Sequence, residues 1–443
     1  MKENQAIYDA KTLGTSKMLV LGLQHMFAMF GATVLVPTLT GLSVSATLLF
    51  AGLATLFCHF VTKKKVPVFL GSSFAFLGGY FAIAPNGEKE LLPYACFGVA
   101  CAGLMYVILS AAVKAYGQKK IMRFFPPIVT GPIIIAIGLC LSGSAIQNCQ
   151  ANWGIALVAI AVVIICNIWG KGMIKIIPIL LGVLASYLVA ALTGNVDFTP
   201  VKEAAWVGVP FKFENTVFGL FASGNVDGGL LATAVITILP IALATMMEHI
   251  GDISAIGSTV GKNFIEDPGL HRTLIGDGVG TTIAALFGAP ANTTSGENTG
   301  VLALTRVYDP FVIRLAAIYA IILSFCPKFA AIIEVMPTAT IGGVSLILYG
   351  MISAIGVRNI VENKVDFSES RNIIIAALAL VLAIGIKYGA GDAISFVIGS
   401  VHINLSGLAV ASLTAIILNA VLPGGDASFA DNPKDAGTLG RYK

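Results

Sequence analysis

Two acidic side chains fall inside apolar stretches of this chain. Glu248 lies in Ile236-Thr-Ile-Leu-Pro-Ile-Ala-Leu-Ala-Thr-Met-Met-Glu-His-Ile250, and Glu297 lies in Ala291-Asn-Thr-Thr-Ser-Gly-Glu-Asn-Thr-Gly300. A carboxyl group within a bilayer costs roughly 2.5–3.5 kcal/mol on insertion scales, so such a group is normally kept for a task. Asp252 follows Glu248 by one helical turn and shares its face. Two ionised carboxylates there would repel, so at least one is expected to carry a proton, and a carboxyl that gains and loses a proton can couple proton flow to other events. Asp252 also sits near a span edge, where a simple wet cap is an even rival. Glu297 has a rival reading too, as a cap for backbone donors, although Ser, Thr and Asn are already present to do that.

Other polar residues frame these acids. His25, beside Gln24 in the first apolar stretch, can accept a proton or bridge spans through a hydrogen bond, and the bridge is the blander reading. His249 follows Glu248 and points to a different face. Asp277 is a third intramembrane acid without a matching catalytic partner. Asn298, Thr293 and Thr294 read as braces of an irregular segment. Phe74, between Ser73 and Ala75, offers a flat ring for a planar ligand, against a background of 25 Phe that mostly pack.

These residues need a membrane scaffold. The 443 residues are 56% hydrophobic and 11% charged, far from the roughly 25% charge of a soluble domain. A net charge of +4, spread over short loops, gives no nucleic-acid patch. The seven Cys are isolated and form no CxxC pair, so neither a metal site nor a disulfide framework is indicated. The first apolar run has no cleavage site after it and reads as a true span.

About fourteen apolar stretches approach span length. They cover 18–40, 44–62, 67–85, 92–113, 124–147, 152–169 and 173–194, then 230–250, 271–287, 290–305, 311–327, 336–356, 372–388 and 404–422. With both termini in the cytoplasm, about 22 of the 27 Lys and Arg fall on the cytoplasmic side. The third and tenth stretches are interrupted, by Gly71-Ser-Ser-Phe-Ala-Phe-Leu-Gly-Gly79 and by Pro290-Ala-Asn-Thr-Thr-Ser-Gly-Glu-Asn298. Interrupted spans at matching places in two halves of opposite topology mark a transport site. The breaks free backbone groups that must face protein or a cavity.

The stretch Glu297-Asn-Thr-Gly-Val-Leu-Ala-Leu-Thr-Arg306 resembles the signature of the nucleobase–ascorbate transporters, also called the nucleobase–cation symporter-2 family. Further stretches agree: Gln24-His-Met-Phe-Ala-Met-Phe-Gly-Ala-Thr-Val-Leu-Val-Pro37, Leu70-Gly-Ser-Ser-Phe-Ala-Phe76, Glu248-His-Ile-Gly251, Asp267-Pro-Gly-Leu-His-Arg272 and Gly342-Gly-Val-Ser-Leu-Ile-Leu-Tyr-Gly350. They run across nearly the whole chain, and the likeness is greatest to uracil-type members.

The resemblance implies an all-α polytopic membrane protein with about fourteen transmembrane segments in two inverted seven-span repeats. Short strands would occupy interrupted spans 3 and 10. A core domain would take residues 16–116 and 229–330, a gate domain 117–228 and 331–425, and a cytoplasmic tail 426–443. It also implies a proton-coupled symporter importing uracil across the inner membrane, with no cofactor beyond the proton and a homodimer formed through the gate domains. Glu248, Glu297, Phe74, Gly296, Ala32, Ser73 and Ser295 would form the substrate site, with Glu248, Asp252 and His25 in proton coupling. The chain departs from the uracil-type pattern at Asp252, where His is expected, and at Ser295, where Tyr is expected. An acid at the first place is familiar from purine-type members, so a xanthine carrier is the alternative. An anion carrier on the same fold is a weaker one, because the breaks hold Glu rather than positive charge.

Overall fold

The computed structural model describes residues 6–424 apart from 392, 399 and 400. The tail 426–443 lies outside the described residues. The chain folds as a set of apolar helices around a continuous hydrophobic core that includes Met29, Leu70, Phe76, Tyr106, Ile253 and Val344. Among the described residues, seven helices are long and apolar enough to cross a membrane, or eight if the bent pair Pro310–Ser324 and Pro327–Glu334 counts as one span. The remaining expected stretches hold shorter helices, including Trp153–Ile168, Pro178–Leu192 and Gly407–Val421.

Local chemistry sets the ends of these helices. The Ser43 hydroxyl accepts from the Ala46 amide at the start of Val44–Val61. The Asp227 carboxylate accepts from the Gly229 and Leu230 amides at the start of Gly228–Ile238. Pro240 lacks an amide proton and separates that helix from Ile241–Val260. The chain after Val44–Val61 and the chain before Leu270–Leu286 are joined by an ion pair, Lys65 Nζ to Asp267 Oδ2 at 2.6 Å. The lysine holds the Asp267 carboxyl below its ordinary range. Both side chains are largely exposed, so the pair adds little to stability.

Helices from the two halves of the chain pack against each other in pairs. Pro127–Gln150 lies along Thr338–Glu362, Leu92–Tyr116 along Leu270–Leu286, and Val44–Val61 along Pro310–Ser324. The first pair approaches so closely that a Cβ at Gly138 would sit 2.2 Å from the Tyr349 carbonyl oxygen. A Cβ at Gly356 would sit 2.6 Å from the Ile135 nitrogen. Small residues let helix backbones meet in lipid, where no hydrophobic drive holds them together.

Two short strands interrupt the helices. Leu70–Ser72 (β1) pairs antiparallel with Asn292–Thr294 (β2), with Leu70 opposite Thr294, Gly71 opposite Thr293 and Ser72 opposite Asn292. The pairing continues beyond the strands, as Ser73 donates its amide to Ala291 O at 3.0 Å and Ser295 donates to Phe69 O at 2.9 Å. A second antiparallel pair, Ala393–Ile398 with Val401–Ser406, is not announced by the span pattern.

Replacing Gly138 by Val forces side-chain atoms against backbone at a close helix crossing. The expected cost is about 1–3 kcal/mol, to be read as a lower thermal unfolding temperature of the purified protein in detergent. A melting curve matching the parent would contradict this packing.

Candidate functional site

Each strand runs into a helix that starts at the same place in the fold. Past β1 the chain turns at Ser73 into Phe74–Phe76 and Leu77–Ile83. Past β2 it turns at Ser295 and Gly296 into Glu297–Thr305. Neither start is capped by a side chain. Helix starts present amide donors, so two sets of donors face the break.

A cavity of about 380 Å³ opens there. Ser72, Ser73 and Phe74 line it from the first break, and Thr293, Thr294, Ser295, Gly296 and Glu297 from the second. Helix Ile241–Val260 contributes Glu248, Gly251 and Asp252, and the facing wall holds Ile134, Leu348, Met351 and Ile355. Phe74 is fixed edge-on against Tyr349, with ring centroids 5.2 Å apart at 82°. Glu248, Asp252 and Glu297 thus share one cavity beside the breaks, and Glu362 is a fourth acid of its lining. Arg358 is the single basic residue of its lining, and it is paired with Glu362 one turn on.

The hydrogen bonds around the acids are ordered. Ser295 Oγ lies 2.8 Å from Glu297 Oε2 and 3.2 Å from Asn298 Oδ1, so its one proton serves one of them at a time. Asn298 Nδ2 donates to the His25 carbonyl oxygen at 3.0 Å and lies 3.2 Å from His25 Nδ1. Asp252 faces Gly296: a Cβ built on that glycine would lie 3.4 Å from Asp252 Oδ1. The hydroxyls of Ser72 and Ser73 are buried and have no partner among the described residues.

Behind the cavity lies a second polar cluster. His249 Nδ1 is 2.8 Å from Asp277 Oδ2 and 3.0 Å from Thr294 Oγ1, while His249 Nε2 is 3.0 Å from Thr273 Oγ1. The Thr294 amide donates to Asp277 Oδ2 at 3.1 Å. His249 and Asp277 are fully buried. Asp277 on Leu270–Leu286 and His249 on Ile241–Val260 therefore pin β2 from behind. Thr281 adds a bond to Asn292 O at 2.7 Å.

Of the residues singled out in the sequence, Glu248, Asp252, Glu297, Phe74, Ser73, Ser295 and Gly296 line the one cavity. His25 is buried behind Asn298 and is not part of that lining. The Ala32 side chain lies outside the described residues, although its backbone belongs to Thr15–Thr40. Ser72 and Tyr349 were not singled out. Ser72 stood inside the quoted Gly/Ser break, and Tyr349 stood in the quoted Gly342–Gly350 stretch. The His249–Asp277 pair gave no sequence signal, because its members lie on different helices.

A family model described as a permease family matches residues 16–391. The uracil permease of Bacillus caldolyticus is 39% identical over 427 residues, covering 94% of each chain. That settles the family. The chain belongs to the nucleobase–ascorbate transporters. The uracil permease of Escherichia coli strain K12 is 38% identical over 413 residues, covering 90% of each chain. The putative pyrimidine permease RutG of the same strain is 35% identical, covering 95% of this chain and 92% of its own. The chain is accordingly a multi-pass membrane permease.

Solved structures agree on the fold. The transmembrane domain of a cyanobacterium bicarbonate transporter, BicA, superposes with a TM-score of 0.57 at 14% identity, covering 93% of this chain and 98% of that one. SLC26A9 gives 0.60 at 12% identity, covering 93% and 67%.

Thr294→Val removes the hydroxyl that meets both His249 and Asp277 while keeping the shape. Leaving buried groups short of a partner costs about 1–3 kcal/mol. The expected result is a clear loss of thermal stability in detergent, and an unchanged unfolding temperature would count against the bracing role.

Proposed function

We propose that this permease is a proton-coupled symporter that imports uracil by alternating access. The observation that carries the reading is the convergence of Glu248 and Glu297 on one cavity beside two uncapped helix starts. Uracil is a neutral plane with two N–H donors and two carbonyl acceptors. The two carboxyl groups accept the N–H bonds. Backbone amides at the breaks and the unpartnered Ser72 and Ser73 hydroxyls serve the carbonyls. The Phe74 ring covers a face of the base. A base that leaves one of these buried groups unpaired loses about 1–3 kcal/mol, which is the basis of selection. Relatives at 35–39% identity that bear the name uracil permease support the same substrate.

Glu248 takes up the coupling proton, with Asp252 one turn away as a partner in holding it. One proton moving down 100 mV supplies about 2.3 kcal/mol, which sustains roughly a fiftyfold gradient of a neutral base. The scaffold in this reading is two inverted seven-span repeats. A core of residues 16–116 and 229–330 carries the acids, and a gate of 117–228 and 331–425 supplies the facing wall. The pairing of Pro127–Gln150 with Thr338–Glu362, and of Leu92–Tyr116 with Leu270–Leu286, supports this division.

One observation favours a second reading. Asp252 lines the cavity and faces Gly296, and a third acid suits a purine with more N–H donors, such as xanthine. The bicarbonate and anion transporters that share the fold are weaker guides, since an anion would meet Glu248, Asp252 and Glu297 beside the breaks.

The deciding experiment is labelled uracil uptake into permease-deficient bacterial cells that express this chain. Uptake is expected to be abolished by a protonophore and untouched by excess xanthine. In the Glu248→Gln variant, concentrative uptake is expected to fall to background while the protein still reaches the membrane. Competition by xanthine would move the reading to a purine carrier, and normal accumulation by Glu248→Gln would remove that residue from coupling.

A further inference from the structure

The two helices that carry the acids end at the same side of the fold, and one extended segment joins their ends. Helix Ile241–Val260 bears Glu248 and ends at Gly261 in a left-handed turn. Helix Glu297–Thr305 starts with Glu297 and ends at Arg306, also left-handed. At 1.5 Å per residue these ends lie about 18 Å and about 12 Å from the respective acids. Residues Ile7–Ala10 cross between them. Ile7 donates its amide to Arg306 O at 2.9 Å, and Tyr308 donates back to Ile7 O at 2.7 Å. The Ala10 amide donates to Asp309 Oδ2 at 2.8 Å. Ala10 is fully buried with Val307 and Val312, and Ile7 packs on that cluster.

The other attachment goes through Tyr8. Its hydroxyl donates to Val260 O at 2.8 Å, the last residue of the Glu248 helix. Its ring packs on Tyr308 with centroids 5.5 Å apart, and Lys262 Nζ sits 4.9 Å from the ring centroid. One side chain therefore touches the end of the Glu248 helix and the loop that directly follows the Glu297 helix. A hydrogen bond, an aromatic contact and a cation–π contact converge on it.

We propose that Ile7–Ala10 is a strap that fixes the spacing of the Glu248 and Glu297 helices, and that Tyr8 is a positioning residue for substrate binding although it lies outside the cavity. Both helices are stiff rods, so a shift between their strapped ends moves the two carboxyl groups relative to one another. Two hydrogen bonds to a rigid flat base tolerate little of that. This inference rests on the reading that both carboxyl groups hold the substrate.

The test uses the full chain with Tyr8→Ala and Tyr8→Phe, and two readouts. Hydrogen exchange in detergent reports the strap without substrate. In Tyr8→Ala, exchange at the Ile7 and Tyr308 amides is expected to quicken. Labelled uracil uptake reports its effect on the site. Tyr8→Ala is expected to raise KM about tenfold, a loss of about 1.4 kcal/mol, with the maximal rate per inserted molecule changed less. Tyr8→Phe keeps both ring contacts and should fall between Tyr8→Ala and the parent. Unaltered exchange in Tyr8→Ala overturns the strap whatever the substrate proves to be. Quickened exchange with an unchanged KM overturns the positioning role. Absence of uracil uptake by the parent chain overturns the substrate reading and leaves exchange to decide the strap.

Discussion

Backbone amides and carbonyls cannot go unpaired inside a bilayer, and this constraint shapes the centre of the molecule. Two spans break into non-helical chain, and each break supplies the partner of the other, Leu70–Ser72 with Asn292–Thr294. The strands are only three residues long, too short to hold themselves. Asp277, His249 and Thr281 complete the pairing from behind through Thr294 and Asn292. With the strands fixed, the helix starts after them point their amides at one place, and the carboxyl groups arrive beside those amides.

The polar residues divide into two sets with different demands. Those behind the strands satisfy each other: His249, Asp277, Thr273 and Thr294 form a closed group. Those in front are left partly open, as with the Ser72 and Ser73 hydroxyls and the Glu248 carboxyl. A closed cluster gives rigidity, whereas open groups give affinity for something else. The facing wall is apolar where Ile134, Leu348, Met351 and Ile355 stand, and turns polar further along Thr338–Glu362, where Arg358, Asn359 and Glu362 join the lining.

Much of this was legible in the sequence because acids and breaks in apolar runs are conspicuous. Glu248 and Asp252 were placed on one face by their spacing, and both face the cavity. Ser73, Phe74, Ser295 and Gly296 were drawn in by the interruptions they sit in. The spacing rule also turned His249 away from Glu248, and it does face away, but its partner Asp277 lies 28 residues on. Nothing in a one-dimensional pattern announces a pairing between helices. The strand pair Ala393–Ile398 and Val401–Ser406 did carry a signal, Gly399-Ser400 between two apolar runs, but it was passed over because the second run abuts a span. Spans such as Trp153–Ile168 were visible as apolar runs, yet the helix has 16 residues, short of the roughly 20 of a full crossing. Tyr8 was invisible for the opposite reason. It lies in a polar leader before the first span, where composition suggests nothing but solvent.

The pairing of the two strands also sets an order of events during synthesis. Ser72 and its partner Asn292 are separated by roughly 220 residues, which a ribosome takes on the order of 10–45 s to add. For that interval the first break has no strand to pair with. The nascent chain must leave Leu70–Ser72 in contact with water, or against the insertion machinery, until six more apolar stretches and the start of the next have been delivered. Inserting the second half is therefore what completes the first, and a chain truncated before residue 292 would leave the membrane holding an open edge.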